Sequence, residues 1–167
     1  MNYFRSSLIL DQIIDKMKTK YLVLIVLLGF MISCAKEVPA YVGSYTVNNL
    51  RDECTDPSKN ASVGRTEYGI CLNVAGGRDC IELKVELKED LTYVLSTQIT
   101  ELRSGGVVNT KELVSDDGPY TVTGDALVLS PSSSSPTNMK LINDNKGLDW
   151  FISENNGCRR LYGLVKN

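Results

Sequence analysis

The stretch that decides the fold runs from Cys80 to Lys88 and reads CIELKVELK. Apolar and charged side chains alternate along it, because Ile81, Leu83, Val85 and Leu87 are separated by glutamates and lysines. Successive side chains of a β-strand point to opposite faces, so this alternation predicts a strand with one face in a core and the other in solvent. A helix would scatter the same apolar residues around its axis.

Short β-prone segments separated by turn residues make up most of the chain around this stretch. Strands are predicted at 41–47, 69–74, 80–88, 91–100, 107–114, 120–123, 126–129, 139–142, 148–152 and 160–165. Arg51 to Arg65 has little apolar content and is expected to be a long loop, Asp116-Asp117-Gly118 a turn, and 130–136 a mobile surface loop. This spacing leaves no room for long helices. It predicts an all-β domain, an antiparallel meander that forms a barrel or an open sandwich.

The N-terminus has the organisation of a signal peptide, with a helix through its apolar part. Lys18 and Lys20 precede an uncharged run at 21–32, which is shorter than the roughly 20 apolar residues that span a bilayer. An ordinary membrane anchor would be longer, and is the less favoured interpretation. Asp11 and Asp15 are atypical of the basic region of a signal peptide, so we expect translation to start at Met17.

Ser33-Cys34 closes the apolar run and resembles the lipobox of bacterial lipoproteins. The resemblance implies that Cys34 is acylated and becomes the first residue after cleavage. It gives a signal peptide at 1–33, a lipidated tether at 34–40 and a β domain at 41–167. We therefore expect a lipoprotein held by its N-terminal lipid in the cell envelope, at the outer membrane, on its periplasmic or surface face.

Composition excludes several classes of function. Residues 34–167 carry 14 basic and 18 acidic side chains, and this net charge of −4 argues against binding nucleic acid. The whole chain contains no histidine, which removes Ser-His-Asp and Cys-His catalysis and histidine-based metal sites. The carboxylate pairs Glu82 with Glu86 and Asp116 with Asp117 are interpreted as solvent-facing and turn residues. We expect no catalytic residue, metal or cofactor, and a length of 134 residues fits one domain, expected to be a monomer.

Four cysteines follow Cys34, an even number that predicts two disulfides outside the cytoplasm. If 74–77 is a hairpin loop, Cys71 lies directly opposite Cys80, which leaves Cys54 to pair with Cys158. A loop shifted to Gly76-Gly77 would instead place Cys71 opposite Glu82, so the other pairings stay open at this point.

A family resemblance rests on four motifs: Gly43-x-Tyr45, Cys54-Thr-Asp56-Pro57, Glu89-Asp90-Leu-Thr-Tyr93, and the run GPYTVTGDAL from Gly118 to Leu127. In this order they resemble the lipocalin-like lipoproteins of the Bacteroidetes over nearly the whole β domain. The resemblance implies a lipocalin-like barrel and brings no catalytic residues with it.

The candidate binding residues are those expected inside such a barrel, namely Leu83, Val85, Tyr93, Leu95 and Trp150. They would give an apolar lining whose polar groups are Thr97 and the Tyr93 hydroxyl, which suits a lipid or an aromatic ligand. The sequence leaves a second interpretation open, in which the same side chains fill a narrow core and the protein is an interaction or accessory module of the envelope.

Overall fold

The computed structural model describes residues 37–132 and 134–167. The signal peptide predicted at 1–33 and the acylation site Cys34 lie outside the described residues. A turn of 3-10 helix, Pro57–Lys59, separates the first two strands. The described chain forms the strands β1 (Gly43–Cys54), β2 (Ala61–Gly64), β3 (Ile70–Val74), β4 (Gly77–Leu87), β5 (Thr92–Arg103), β6 (Val107–Thr123), β7 (Ala126–Leu129), β8 (Thr137–Ile142), β9 (Gly147–Asn155) and β10 (Cys158–Lys166).

Eight of these strands close into a barrel. Neighbouring strands pair antiparallel in the order β2-β1-β10-β9-β8-β7-β6-β5-β4-β3. A further pairing joins β1 to β4, from Gly43 opposite Leu87 to Thr46 opposite Lys84, so β1 and β4 to β10 form a closed ring. The predicted all-β antiparallel fold is confirmed, and the closing pair makes it a closed barrel instead of an open sandwich. No helix of the described residues is long and apolar enough to cross a membrane.

Alternation along β4 fills the barrel interior as the sequence predicts. Leu83, Val85 and Leu87 are buried, whereas Lys84 and Glu86 between them are exposed. The same alternation on the other strands contributes the rest of one core, which contains Tyr45, Val47, Leu50, Ile70, Tyr93, Tyr120, Leu127, Leu129, Met139, Leu141, Leu148 and Leu164.

The stretch 51–65, expected to be a loop, is largely strand, so that prediction is wrong. β1 continues to Cys54 and pairs with both β10 and β2. Asp52 forms a two-pronged ion pair with Arg160 on β10, at 2.7 and 2.8 Å, and Cys54 is bonded to Cys158. Contacts with neighbouring strands therefore stabilise this part of β1, although its polar composition does not predict a strand.

The turn predicted at Asp116-Asp117-Gly118 is also wrong, because β6 runs without a break from Val107 to Thr123. Pairing with β5 places Asp116 opposite Leu95 and Gly118 opposite Tyr93. Gly118 is required by packing and not by a turn, since a Cβ atom there would lie 2.5 Å from the carbonyl oxygen of Ser130. A long run of ladder hydrogen bonds has overridden local turn propensity.

The barrel has two different ends. Three hairpin turns, at 75–76, 104–106 and 156–157, mark what we call the hairpin end. At the opposite end, which we call the tyrosine end, Tyr41 packs edge-on against Tyr120 with ring centroids 6.2 Å apart. The Tyr45 hydroxyl donates to the carbonyl of Tyr41 at 2.7 Å and also lies 3.0 Å from that of Asn145. Hydrogen bonds and aromatic packing thus cover this end.

Burial raises the pKa of Tyr45 to about 12, with a smaller effect from Tyr120. An unfolded tyrosine titrates near pH 10, so the raised folded pKa contributes stability below pH ~10 that is lost as the pH rises toward 12. We expect the free energy of unfolding, measured with urea, to fall by about 2–3 kcal/mol over this interval from Tyr45 alone. Tyr45→Phe should show a smaller alkaline loss, and an unchanged loss in that variant would contradict this assignment.

Candidate functional site

The candidate site is the part of the barrel interior whose side chains are not fully buried. Leu95 pairs with the fully buried Val85, and Trp150 pairs with the buried Met139, so both point inward. Unlike those partners, Leu95 and Trp150 are only partly buried. Among the inward-facing residues with this partial exposure, we call the following the open half: Ile81, Leu95, Thr97, Asp116, Trp150 and Tyr162.

The other half of the interior is closely packed. Toward the tyrosine end, Leu87, Tyr93, Tyr120 and Leu148 have relative exposures of 0–1%. The interior therefore combines a closely packed part, which includes the tyrosine end, with a part whose side chains are only partly buried. Small eight-stranded barrels can enclose one small ligand in such a space.

The predicted binding residues divide between these two parts. Leu95 and Trp150 belong to the open half, whereas Leu83, Val85 and Tyr93 are buried in the core. Thr97, predicted as a polar group of the lining, lies opposite Leu83 at the boundary.

Sequence reasoning missed Tyr162 and Asp116. Tyr162 lies on the strand predicted at 160–165, but it was not assigned to the lining; it lies between Trp150 and Leu50 on the inward face. Asp116 was interpreted as a turn residue. Its spacing of two residues from Gly118, and of four from Tyr120, is the signal that would have placed it on the inward face of β6.

Aromatic side chains form one wall of the open half. Trp150 and Tyr162 are neighbours on β9 and β10, with ring centroids 6.2 Å apart and planes inclined at 56°. Burial raises the pKa of the Tyr162 hydroxyl, although nearby Arg160 acts in the opposite direction. The phenol is therefore protonated at neutral pH and available as a hydrogen-bond donor.

The Tyr93 hydroxyl lies close to the neighbouring strand β6. Its oxygen lies 3.5 Å from Oδ2 of Asp116. Burial raises the pKa of Tyr93, and the charges of Asp116 and Asp117 add to the effect. Tyr93 therefore presents a neutral hydroxyl to the floor of the open half.

Charged pairs surround the hairpin end. Asp52 pairs with Arg160, and this bond lowers the pKa of the Asp52 carboxyl. Around the opposite side, Arg103 contacts Asp79 at 2.7 Å and Glu101 at 3.4 Å. Lys111 lies 3.1 Å from the other oxygen of Glu101. These rim charges neutralise one another and leave the lining itself mainly apolar.

The four cysteines of the described chain form two disulfides. Cys71 lies directly opposite Cys80 on β3 and β4 and is bonded to it. Cys54 and Cys158 are opposite one another on β1 and β10 and form the second bond. Both bonds lie toward the hairpin end, where they fix the strands that surround the open half. Among the described residues there is no cluster of histidine, cysteine or acidic side chains suited to a metal ion.

Comparisons with known proteins add little to this geometry. No protein-family model matches the chain, and no curated protein matches it. Among solved structures, lobster apocrustacyanin A1 is similar over 77% of this chain and 61% of that chain, with 12% identity and a TM-score of 0.32. The fold assignment rests on the strand pairing, and the resemblance to Bacteroidetes lipoproteins gains no support from these comparisons.

Proposed function

We propose that the protein is a binding protein, not an enzyme, and that it holds a small apolar ligand in the open half of its barrel. The observation that carries the proposal is the partial exposure of inward-facing Ile81, Leu95, Trp150 and Tyr162. Apolar surface that a ligand covers contributes about 25 cal/mol of favourable free energy per Å². A concave apolar lining with a few polar groups is the usual form of a small-molecule site.

The packed core supports this proposal, because it gives the open half a rigid boundary. A ligand in the open half would lie against Leu83 and Tyr93 without displacing them. The absence of histidine from the whole sequence supports binding over hydrolysis or metal chemistry.

Native mass spectrometry of the full chain, purified from the producing cells, tests ligand carriage. We expect a small apolar molecule to remain bound and to be released on denaturation. Leu95→Trp should abolish this retention by filling the open half. Val165→Trp is the matched control, because Val165 is 43% exposed and lies outside the lining. Equal retention by the two variants, or no retention even after incubation with a lipid extract, would contradict the proposal.

We further propose that the protein is a lipoprotein, a monomer held in the cell envelope at the outer membrane. The apolar run that ends in Ser33-Cys34 supports this placement. Cells given labelled palmitate should label the wild-type chain and not Cys34→Ser. Cys71→Ser serves as the control because it keeps the acylation site. Palmitate incorporation into Cys34→Ser would show that the lipobox interpretation is wrong.

A second candidate function, docking of another envelope protein, is favoured by the outer face of β9. Phe151 and Ile152 are each 42% exposed, and among the described residues 151–155 pair only with β10. An extended segment of a partner protein can add to such an edge. Ile152→Lys should abolish partner capture and leave the ligand of the open half in place, whereas Leu95→Trp should do the reverse.

A further inference from the structure

Asp116 is a carboxylate on the inward face of an otherwise apolar lining. It lies opposite Leu95 and is partly buried. Its contact with the Tyr93 hydroxyl, at 3.5 Å, is much longer than the 2.5–3.0 Å of an ordinary O–H···O hydrogen bond. The carboxylate therefore keeps most of its capacity to accept hydrogen bonds.

Three other acidic residues around the hairpin end already have cationic partners. Asp52 is paired with Arg160, Asp79 with Arg103, and Glu101 with Arg103 and Lys111. Among the ion pairs of residues 37–132 and 134–167, none includes Asp116. Among the described residues, Asp116 is thus an inward-facing carboxylate without a cationic partner, and it can bind a cationic group of a ligand.

The surroundings of Asp116 make a cationic partner favourable. Withdrawing a carboxylate from water is costly unless an opposite charge or hydrogen-bond donors replace the water. An apolar ligand that covered Leu95 would withdraw the Asp116 carboxylate from water in this way. Trp150 and Tyr162 add aromatic faces, which attract cations. An anionic head group would gain neither interaction, and a neutral hydroxyl would offer Asp116 a hydrogen bond without an opposite charge.

We propose that the open half selects amphiphiles that carry a cationic amine on an apolar body, with Asp116 as the counter-ion and Tyr93 as a hydrogen-bonding neighbour. This inference rests on the proposed function, since it assigns a ligand class to the same open half. The apolar body lies against Leu95, Trp150 and Tyr162, and the ammonium group forms a charge-assisted hydrogen bond with the Asp116 carboxylate.

The test compares three compounds that share one alkyl chain: dodecylamine, dodecanol and dodecanoate. Each competes with the uncharged dye N-phenylnaphthylamine for the full chain, below its micellar concentration. We expect dodecylamine to bind about tenfold more tightly than dodecanol, the scale of one charge-assisted hydrogen bond, and dodecanoate to bind most weakly.

Asp116→Asn should remove the preference for the amine, so that dodecylamine and dodecanol bind this variant with similar affinity. Asp117→Asn is the matched control, because Asp117 is exposed and pairs with Val94 on the outward face. Equal affinities for dodecylamine and dodecanol in the wild type, or a preference that survives Asp116→Asn, would overturn the inference while ligand binding itself stands. No binding of the dye or of any of the three compounds would overturn both.

Discussion

Replacing both Cys54 and Cys158 with serine should lower the free energy of unfolding by about 4–5 kcal/mol, the chain-entropy value for a closed loop of this length. The bond joins residues separated by 104 positions, and it ties β1 to β10 next to the Asp52–Arg160 ion pair. Without it, the unfolded chain regains a large number of conformations. Urea unfolding of the two proteins under oxidising conditions measures the difference.

The second disulfide provides the control. Cys71 and Cys80 are separated by only 9 positions, so their replacement by serine should cost about 2 kcal/mol less than removal of the long-range bond. Equal losses from the two pairs of substitutions would show that the bonds do not act chiefly on the unfolded chain. A loss below about 1 kcal/mol for the long-range pair would contradict the expectation itself.

Leu148→Ala should lower the free energy of unfolding by about 2–5 kcal/mol, the range for a leucine deleted from a packed core. Leu148 has no exposed surface and packs among the residues that fill the tyrosine end. The cavity left behind cannot collapse, because the barrel hydrogen bonds hold β8, β9 and β10 in place.

Leu95→Ala is the matched comparison from the open half. Leu95 is partly buried and already contacts solvent, so the same deletion should cost about 1 kcal/mol. Urea unfolding at neutral pH gives both values. A cost for Leu95→Ala as large as that for Leu148→Ala would mean that the open half is packed as closely as the tyrosine end.

The sequence predicted the architecture well wherever hydrophobic alternation was strong. Leu83, Val85 and Leu87 are buried as expected, because one register of β4 alone places all three in the core. The same two-residue period put Cys71 and Cys80 on one face, and a two-residue turn then makes them direct neighbours.

Prediction failed where long-range pairing, invisible in local composition, decides the structure. Asp52 lies on a strand because of Arg160, more than 100 residues away in the chain. Gly118 is typical of a turn, yet it lies within the continuous strand β6. Its lack of a side chain allows the backbone of Ser130 to approach closely. The error at 116–118 also hid the inward orientation of Asp116.

The division of the interior into packed and open parts could not be predicted from residue types. Leu83 and Leu95 are the same amino acid on adjacent strands, and both face inward. Leu83 is buried and Leu95 is partly exposed, although Leu95 pairs with Val85, two residues nearer the tyrosine end than Leu83. This depends on strand tilt and end closure, which no local pattern records.

Energy transfer from Trp150 to bound N-phenylnaphthylamine tests the central claim most directly. Trp150 is the one tryptophan of the whole chain, and it lies in the wall of the open half. Titration of the full chain should quench Trp150 emission and increase dye emission together, saturating at one dye per chain with a micromolar dissociation constant. Leu95→Trp should abolish the saturable dye emission, and Val165→Trp should not. Dye emission that rises without saturation, or saturates equally in Leu95→Trp, would contradict an apolar ligand site inside the barrel.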